Sequence, residues 1–116
     1  MLNRTIFQGV LGRNPSVTVM DSGTIECTFS VLVTETYLTG KGSTKQQTSI
    51  VPVIAYNGVA KKAHRLESGR AVTIEGRLRT VDVGARTTLR VVATDIYPIA
   101  GQISTPVPAC ATQSES

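Results

Sequence analysis

From Ile25 onward alternate residues are apolar: Ile25, Cys27, Phe29, Val31 and Val33 interleave with Glu26, Thr28, Ser30 and Thr34, and only Leu32 breaks the polar set. A period of two separates the sets onto opposite faces and predicts a half-buried β-strand. An earlier strand spans residues 3–11, where Gly9 and Gly12 point to bends or a close backbone approach. Residues 17–20 read as its bent continuation, and Asp21-Ser22-Gly23 supplies turn chemistry into the strand that starts at Ile25. A third strand covers 48–56 through Ile50-Val51-Pro52-Val53-Ile54. Pro52 has no N–H for a ladder bond, so the strand must be an edge or bulged at that point.

The fourth strand, 71–81, sets Val72, Ile74, Gly76 and Leu78 against Thr73, Glu75, Arg77 and Arg79. One face is apolar and the other charged. A fifth, 87–97, follows through Asp82-Val83-Gly84-Ala85-Arg86, whose glycine suits a hairpin. Only residues 58–67 read as helix, with Asn57 as N-cap, Val59, Ala63 and Leu66 on one stripe, and Gly69 past the end. Five strands with one short helix between the third and fourth is the order of an all-β OB-fold, a five-stranded Greek-key barrel. The pattern alone leaves other small barrels open. Residues 39–47, Thr-Gly-Lys-Gly-Ser-Thr-Lys-Gln-Gln, read as a polar loop between two strands. Beyond Ile99 the chain turns to Gly, Ser, Thr, Pro, Ala and Gln, so an OB domain over 1–100 and a flexible tail over 101–116 are expected.

The 116 residues, 41% hydrophobic and 17% charged, suit one domain with one core. No run approaches the roughly 18 apolar residues of a membrane span. The start, Met1 to Gln8, lacks a basic region followed by an apolar stretch, so a soluble, cytoplasmic and nucleoid-associated protein with no membrane partner is expected. In that reducing setting the distant Cys27 and Cys110 are expected as free thiols. Twelve Lys and Arg face eight acids. Without Glu115 in the tail, twelve against seven leaves residues 1–104 at +5, compatible with a polyanionic partner.

Enzymatic chemistry finds little material. The one histidine, His64, lies beside Arg65 and near Lys61 and Lys62 on the short helix, where a solvated side chain is expected rather than a catalytic base. One His and two distant Cys provide no metal-ligand spacing. Gly40-Lys41-Gly42-Ser43-Thr44 departs from a phosphate-binding loop because its lysine precedes the second glycine and a strand follows. No enzyme, cofactor or metal is expected.

Basic residues interleaved with a few aromatics remain. Cations that track phosphates and rings that stack on bases are what single-stranded nucleic acid requires. Arg77 and Arg79 share a strand face, Lys41 and Lys45 fall in the 39–47 loop, and Arg4, Arg13, Arg86 and Arg90 extend the track. Solvated strand faces are the plain alternative for each. Among the aromatics, Phe29 belongs to the core stripe, and Phe7 and Tyr97 are ambiguous. Tyr37, at the mouth of the lysine loop, and Tyr56, ending the third strand, are the stacking candidates.

Taken in order, these segments resemble the bacterial single-stranded DNA-binding protein family. The similarity runs from Met1-Leu2-Asn3-Arg4 to Arg13-Asn14-Pro15, through Asp21-Ser22-Gly23 and Phe29-Ser30-Val31, to Gly69-Arg70, Glu75-Gly76-Arg77-Leu78-Arg79-Thr80 and Val91-Val92-Ala93. It covers about residues 1–99. The resemblance implies stacking aromatics at Tyr37 and Tyr56, while Ile50 and Val83 stand at two further stacking positions without a ring, so weaker binding or a shorter footprint is expected. The chain closes on Gln113-Ser114-Glu115-Ser116 without the acidic, Phe-terminated tip through which family members recruit partners, which puts that recruitment in doubt. A related protein, primosomal replication protein N, also shares Ser22-Gly23, Cys27, Phe29 and Pro52-Val53-Ile54.

The expectation is a non-catalytic homo-oligomer, tetramer or dimer, that binds single-stranded DNA with little sequence preference and protects or organises it in replication, recombination or repair. Replication or primosome proteins are its expected partners. Two alternatives stand: replication restart as in primosomal protein N, and an OB module that only binds other proteins.

Overall fold

The computed structural model describes residues 1–13 and 15–99. Its elements in chain order are β1 (Thr5–Leu11), β2 (Ser16–Val19), β3 (Ile25–Leu38), β4 (Thr44–Tyr56), α1 (Asn57–His64), β5 (Ala71–Val83) and β6 (Arg86–Pro98). The sheet order β1-β5-β6-β4-β3-β2 is closed by Val10↔Leu32 and Leu11↔Val31 between β1 and β3. Both β1 and β2 pair with β3, so together they are one bent first strand. The result is the five-stranded OB-fold barrel, with β4 and β6 as its one parallel contact. The expected tail over 101–116 and Cys110 lie outside the described residues.

Alternation sets the inside of the barrel. Cys27, Phe29 and Val31 of β3 meet Val53 and Ala55 of β4, Val72 and Ile74 of β5, and Val91 and Ile96 of β6 in one buried cluster. Phe7 packs against it half-buried and Tyr97 stays exposed, which settles both rings. Two glycines allow the walls to approach. A Cβ on Gly9 would stand 2.4 Å from the Leu32 carbonyl oxygen, and one on Gly76 would stand 2.3 Å from that of Val92, beside the bulge between Glu75 and Gly76. Pro52 fits for a topological reason, because β4 joins β6 only at Val53 and Ile54 and has a free edge before them.

Three expectations change. Asn57 does not cap α1: Tyr56, in extended backbone, holds that position with no side-chain cap bond. Asn57 takes a positive φ of 51°, and its Oδ1 accepts from the Ile25 N–H at 3.2 Å, tying the helix start to β3 instead. The helix also stops at His64 rather than near 67, because Arg65 and Leu66 donate three residues back, to Lys62 and Ala63, and tighten the last turn. Its fully buried residues are Ala60 and Ala63, small enough to let the helix seat on the barrel, with Val59 and Leu66 half-buried beside them.

The third change is the largest. The polar stretch 39–47 is not a loop throughout: β3 and β4 stay paired out to Leu38↔Thr44, leaving only 39–43 as a turn. That turn closes with Thr39 N–H to the Ser43 carbonyl at 2.7 Å and Gly42 N–H to the Thr39 carbonyl at 3.0 Å, with Gly42 at φ +85°. Residues 34–50 are exposed apart from the half-buried Thr39, so the hairpin projects as an arm. Among the described residues no helix is long and apolar enough to cross a membrane.

Candidate nucleic-acid interface

A second arm is built by β5 and β6, which remain paired to Val83↔Arg86. Past the bulge, the outward positions of β5 are Arg77, Arg79, Val81 and Val83, and their partners on β6 are Val92, Arg90, Thr88 and Arg86. This face carries four arginines and no acid. Asp82 belongs to the opposite set, where its carboxylate accepts from the Thr87 hydroxyl at 3.1 Å. Arg79 and Arg90 are direct cross-strand partners. Like charges set opposite each other destabilise a strand pair, so the fold tolerates a cost that a bound anion would remove.

Tyr56 meets this face from β4. The Arg79 guanidinium donates to the Tyr56 hydroxyl at 2.9 Å, and its carbon lies 5.9 Å from the ring centroid. The ring is half-buried. On the other arm Tyr37 is 47% exposed and pairs across the hairpin with Lys45, which sits on β4 and not in a loop. Lys41 is at the tip, its backbone N–H donating to the Thr39 hydroxyl at 3.3 Å. Tyr37 falls in the alternation set that faces inward lower on β3, and Tyr56 in the outward set of β4. The rings therefore mark two separate places, one on an arm and one at the base of the other.

Arg4 follows Asn3, which is bonded to Leu78, so it lies level with Arg77 at the base of the β5–β6 arm, whereas Arg13 stands apart from both arms. Arg4 is engaged by Glu75 at 2.9 Å, and Glu75 also accepts from the Tyr97 hydroxyl at 3.4 Å. Close by, Lys62 of α1 pairs with Asp95 of β6 at 2.5 Å and lies 5.6 Å from the Tyr97 ring centroid. The bond from Lys62, seconded by the Ile96 N–H, holds the Asp95 carboxyl below its ordinary range. Arg13 is exposed just past Gly12, whose N–H donates to the Ser30 carbonyl at 2.9 Å. Ile50 and Val83 are exposed at 59% and 52%. His64 is exposed as expected, and the buried Cys27 thiol is pushed up by desolvation.

Two contacts escape a reading by sequence. One is the Arg79–Tyr56 bond, which depends on the register of three strands. The other is Asn3, whose side chain donates to the Leu78 carbonyl at 3.0 Å and accepts from the Leu78 N–H at 2.9 Å, extending the ladder of β1 onto β5 with a side-chain amide. The sequence pattern places Asn3 at the start of the first strand and gives no hint of this bond.

Residues 2–99 match the single-strand binding protein family. The chain belongs to that family. It is 32% identical over 107 residues to the single-stranded DNA-binding protein of Neisseria meningitidis, covering 87% of this chain and 62% of that one. It is 28% identical over 97 residues to that of Staphylococcus aureus, covering 83% and 61%. The chain thus spans somewhat under two thirds of the length of these relatives. Among solved structures, the Plasmodium falciparum protein in complex with single-stranded DNA aligns over 85% of this chain and 96% of that one, with a TM-score of 0.77 at 19% identity. The Thermus aquaticus single-stranded DNA-binding protein aligns over 87% and 52%, with a TM-score of 0.76 at 21% identity. Both likenesses are of fold.

Proposed function

We propose that this protein binds single-stranded DNA with little sequence preference, along the Arg77-Arg79-Arg86-Arg90 face and the Tyr37-Lys41-Lys45 arm, with Tyr56 between the cations as a stacking ring. The observation that carries the reading is the outward face of the β5–β6 arm past the bulge, four arginines without an acid, with Arg79 opposite Arg90 and Arg79 bonded to an aromatic side chain. Cations along a groove take phosphates without reading bases, and rings accept any base on their faces. Family membership supports the same partner, and the names of the Neisseria and Staphylococcus relatives agree with it. Arg4, level with Arg77 and sharing its charge with Glu75, borders that face, and Arg13 contributes as an outlying contact.

The protein acts without catalysis, as a cytoplasmic homo-oligomer that covers exposed strands during replication, recombination or repair. The open side of β1 supports self-assembly, because among the described residues Thr5 to Gly9 pair with β5 alone and Ile6 is 57% exposed. Titration of a fluorescent oligothymidine at a series of salt concentrations tests the binding. With about five cations on phosphates, log affinity falls against log salt with a slope of roughly −3 to −4. An affinity indifferent to salt removes the electrostatic basis of the proposal, and capture of a replication protein without any binding to DNA supports the interaction module instead.

A further inference from the structure

Ile54 and Val92 are cross-strand partners, buried to 2% and 4% exposure, yet neither belongs to the core cluster inside the barrel. Both alternate with core residues and so face outward. The register shows what lies across them. Tyr56 is two residues beyond Ile54 on β4, while Arg79 on β5 is opposite Arg90, two residues before Val92 on β6. Since β6 runs between β4 and β5, a bond from Tyr56 to Arg79 must pass over the outer side of β6 at Val92.

The contact is chiefly a hydrogen bond. At 5.9 Å the guanidinium carbon is at the outer limit of a cation–π contact, whereas the donor stands 2.9 Å from the hydroxyl. The guanidinium grips the ring at its polar end, and a phenylalanine here would offer it no acceptor. Stacking by itself needs only a flat ring. The hydroxyl therefore has a separate task.

Resting on the proposed DNA-binding reading, we infer that Arg79 is a positioning residue: through the Tyr56 hydroxyl it holds that ring as a strap over Ile54 and Val92, pre-oriented for a base. A ring fixed before binding loses less freedom when a base arrives. The two residues then act as one unit, and their substitutions are non-additive.

The test is a double-mutant cycle in the full chain with Tyr56→Phe, Arg79→Lys and the pair, each titrated with oligothymidine across salt. Tyr56→Phe keeps the ring and Arg79→Lys keeps the charge, so the salt slope stays at the wild-type value in both. Each single change weakens binding by about three- to tenfold, from loss of one charge-assisted hydrogen bond, and the double variant is no weaker than the weaker single one. In the free protein, the Tyr56 ring NMR signals shift in Arg79→Lys. Wild-type affinity in Tyr56→Phe, losses that multiply in the double variant, or unshifted ring signals overturn the inference while leaving DNA binding in place. A wild-type chain that fails to bind oligothymidine overturns the DNA reading itself, and this inference with it.

Discussion

At the residue scale the site rests on side chains whose role follows from one neighbour each. Tyr37 faces Lys45 across the hairpin and stays half exposed, so a base stacked there meets a ring with a cation beside it. Tyr37→Ala should cost about 1–3 kcal/mol of binding, the worth of one stacked base, with no change in melting temperature; paired fluorescence titration and thermal unfolding check both parts. Gly76 makes the opposite case, a residue required by packing alone. Its missing Cβ leaves room for the Val92 carbonyl, which a methyl group would approach to 2.3 Å. Gly76→Ala should destabilise by about 1–3 kcal/mol in a urea titration, because backbone on both sides must yield.

Among elements, α1 is fastened to β6 by Lys62–Asp95 as well as by Ala60 and Ala63. The carboxyl of Asp95 titrates below its ordinary value of 3.8, with the Lys62 bond as the first cause. A depressed carboxyl binds fewer protons folded than unfolded, so its contribution is full above the unfolded value and fades as pH falls through the folded one. The pair is well exposed, so the effect is small. Urea titrations of the wild type and Asp95→Asn should differ at pH 6 and converge as pH drops below about 3.8; a gap that persists there gives Asp95 another role.

The barrel strands were legible in the chain because alternation reports burial on one face: Cys27, Phe29 and Val31, or Val72 and Ile74, could only point inward. The outer half of the β3–β4 arm was not legible, for the same reason. Both its faces meet water, so 44–47 shows no alternation, and the strand is held by register and by pairs such as the Thr34 and Thr48 hydroxyls at 3.0 Å. Asn57 misled as a cap because its amide reaches the Ile25 N–H across a tertiary contact. The four arginines of the β5–β6 face were visible as a set, but the pairing of Arg4 with Glu75 was not. That depends on Glu75 standing opposite Ile6 on β1, the neighbouring strand in space though some seventy residues away in sequence.

At the scale of the whole molecule, two arms leave the barrel on the N-terminal side of the two-residue contact between β4 and β6. Cations line both arms, and the strap of Tyr56 and Arg79 sits at the base of one. NMR mapping of the labelled chain with oligothymidine addresses this arrangement most directly. Signals of Tyr37, Lys45, Tyr56, Arg79 and Arg90 should move together on saturation, while those of Ser16–Val19 and of residues 65–70 hold still. Perturbations gathered on β2 and residues 65–70, with the arms unmoved, would place the DNA elsewhere and contradict the account.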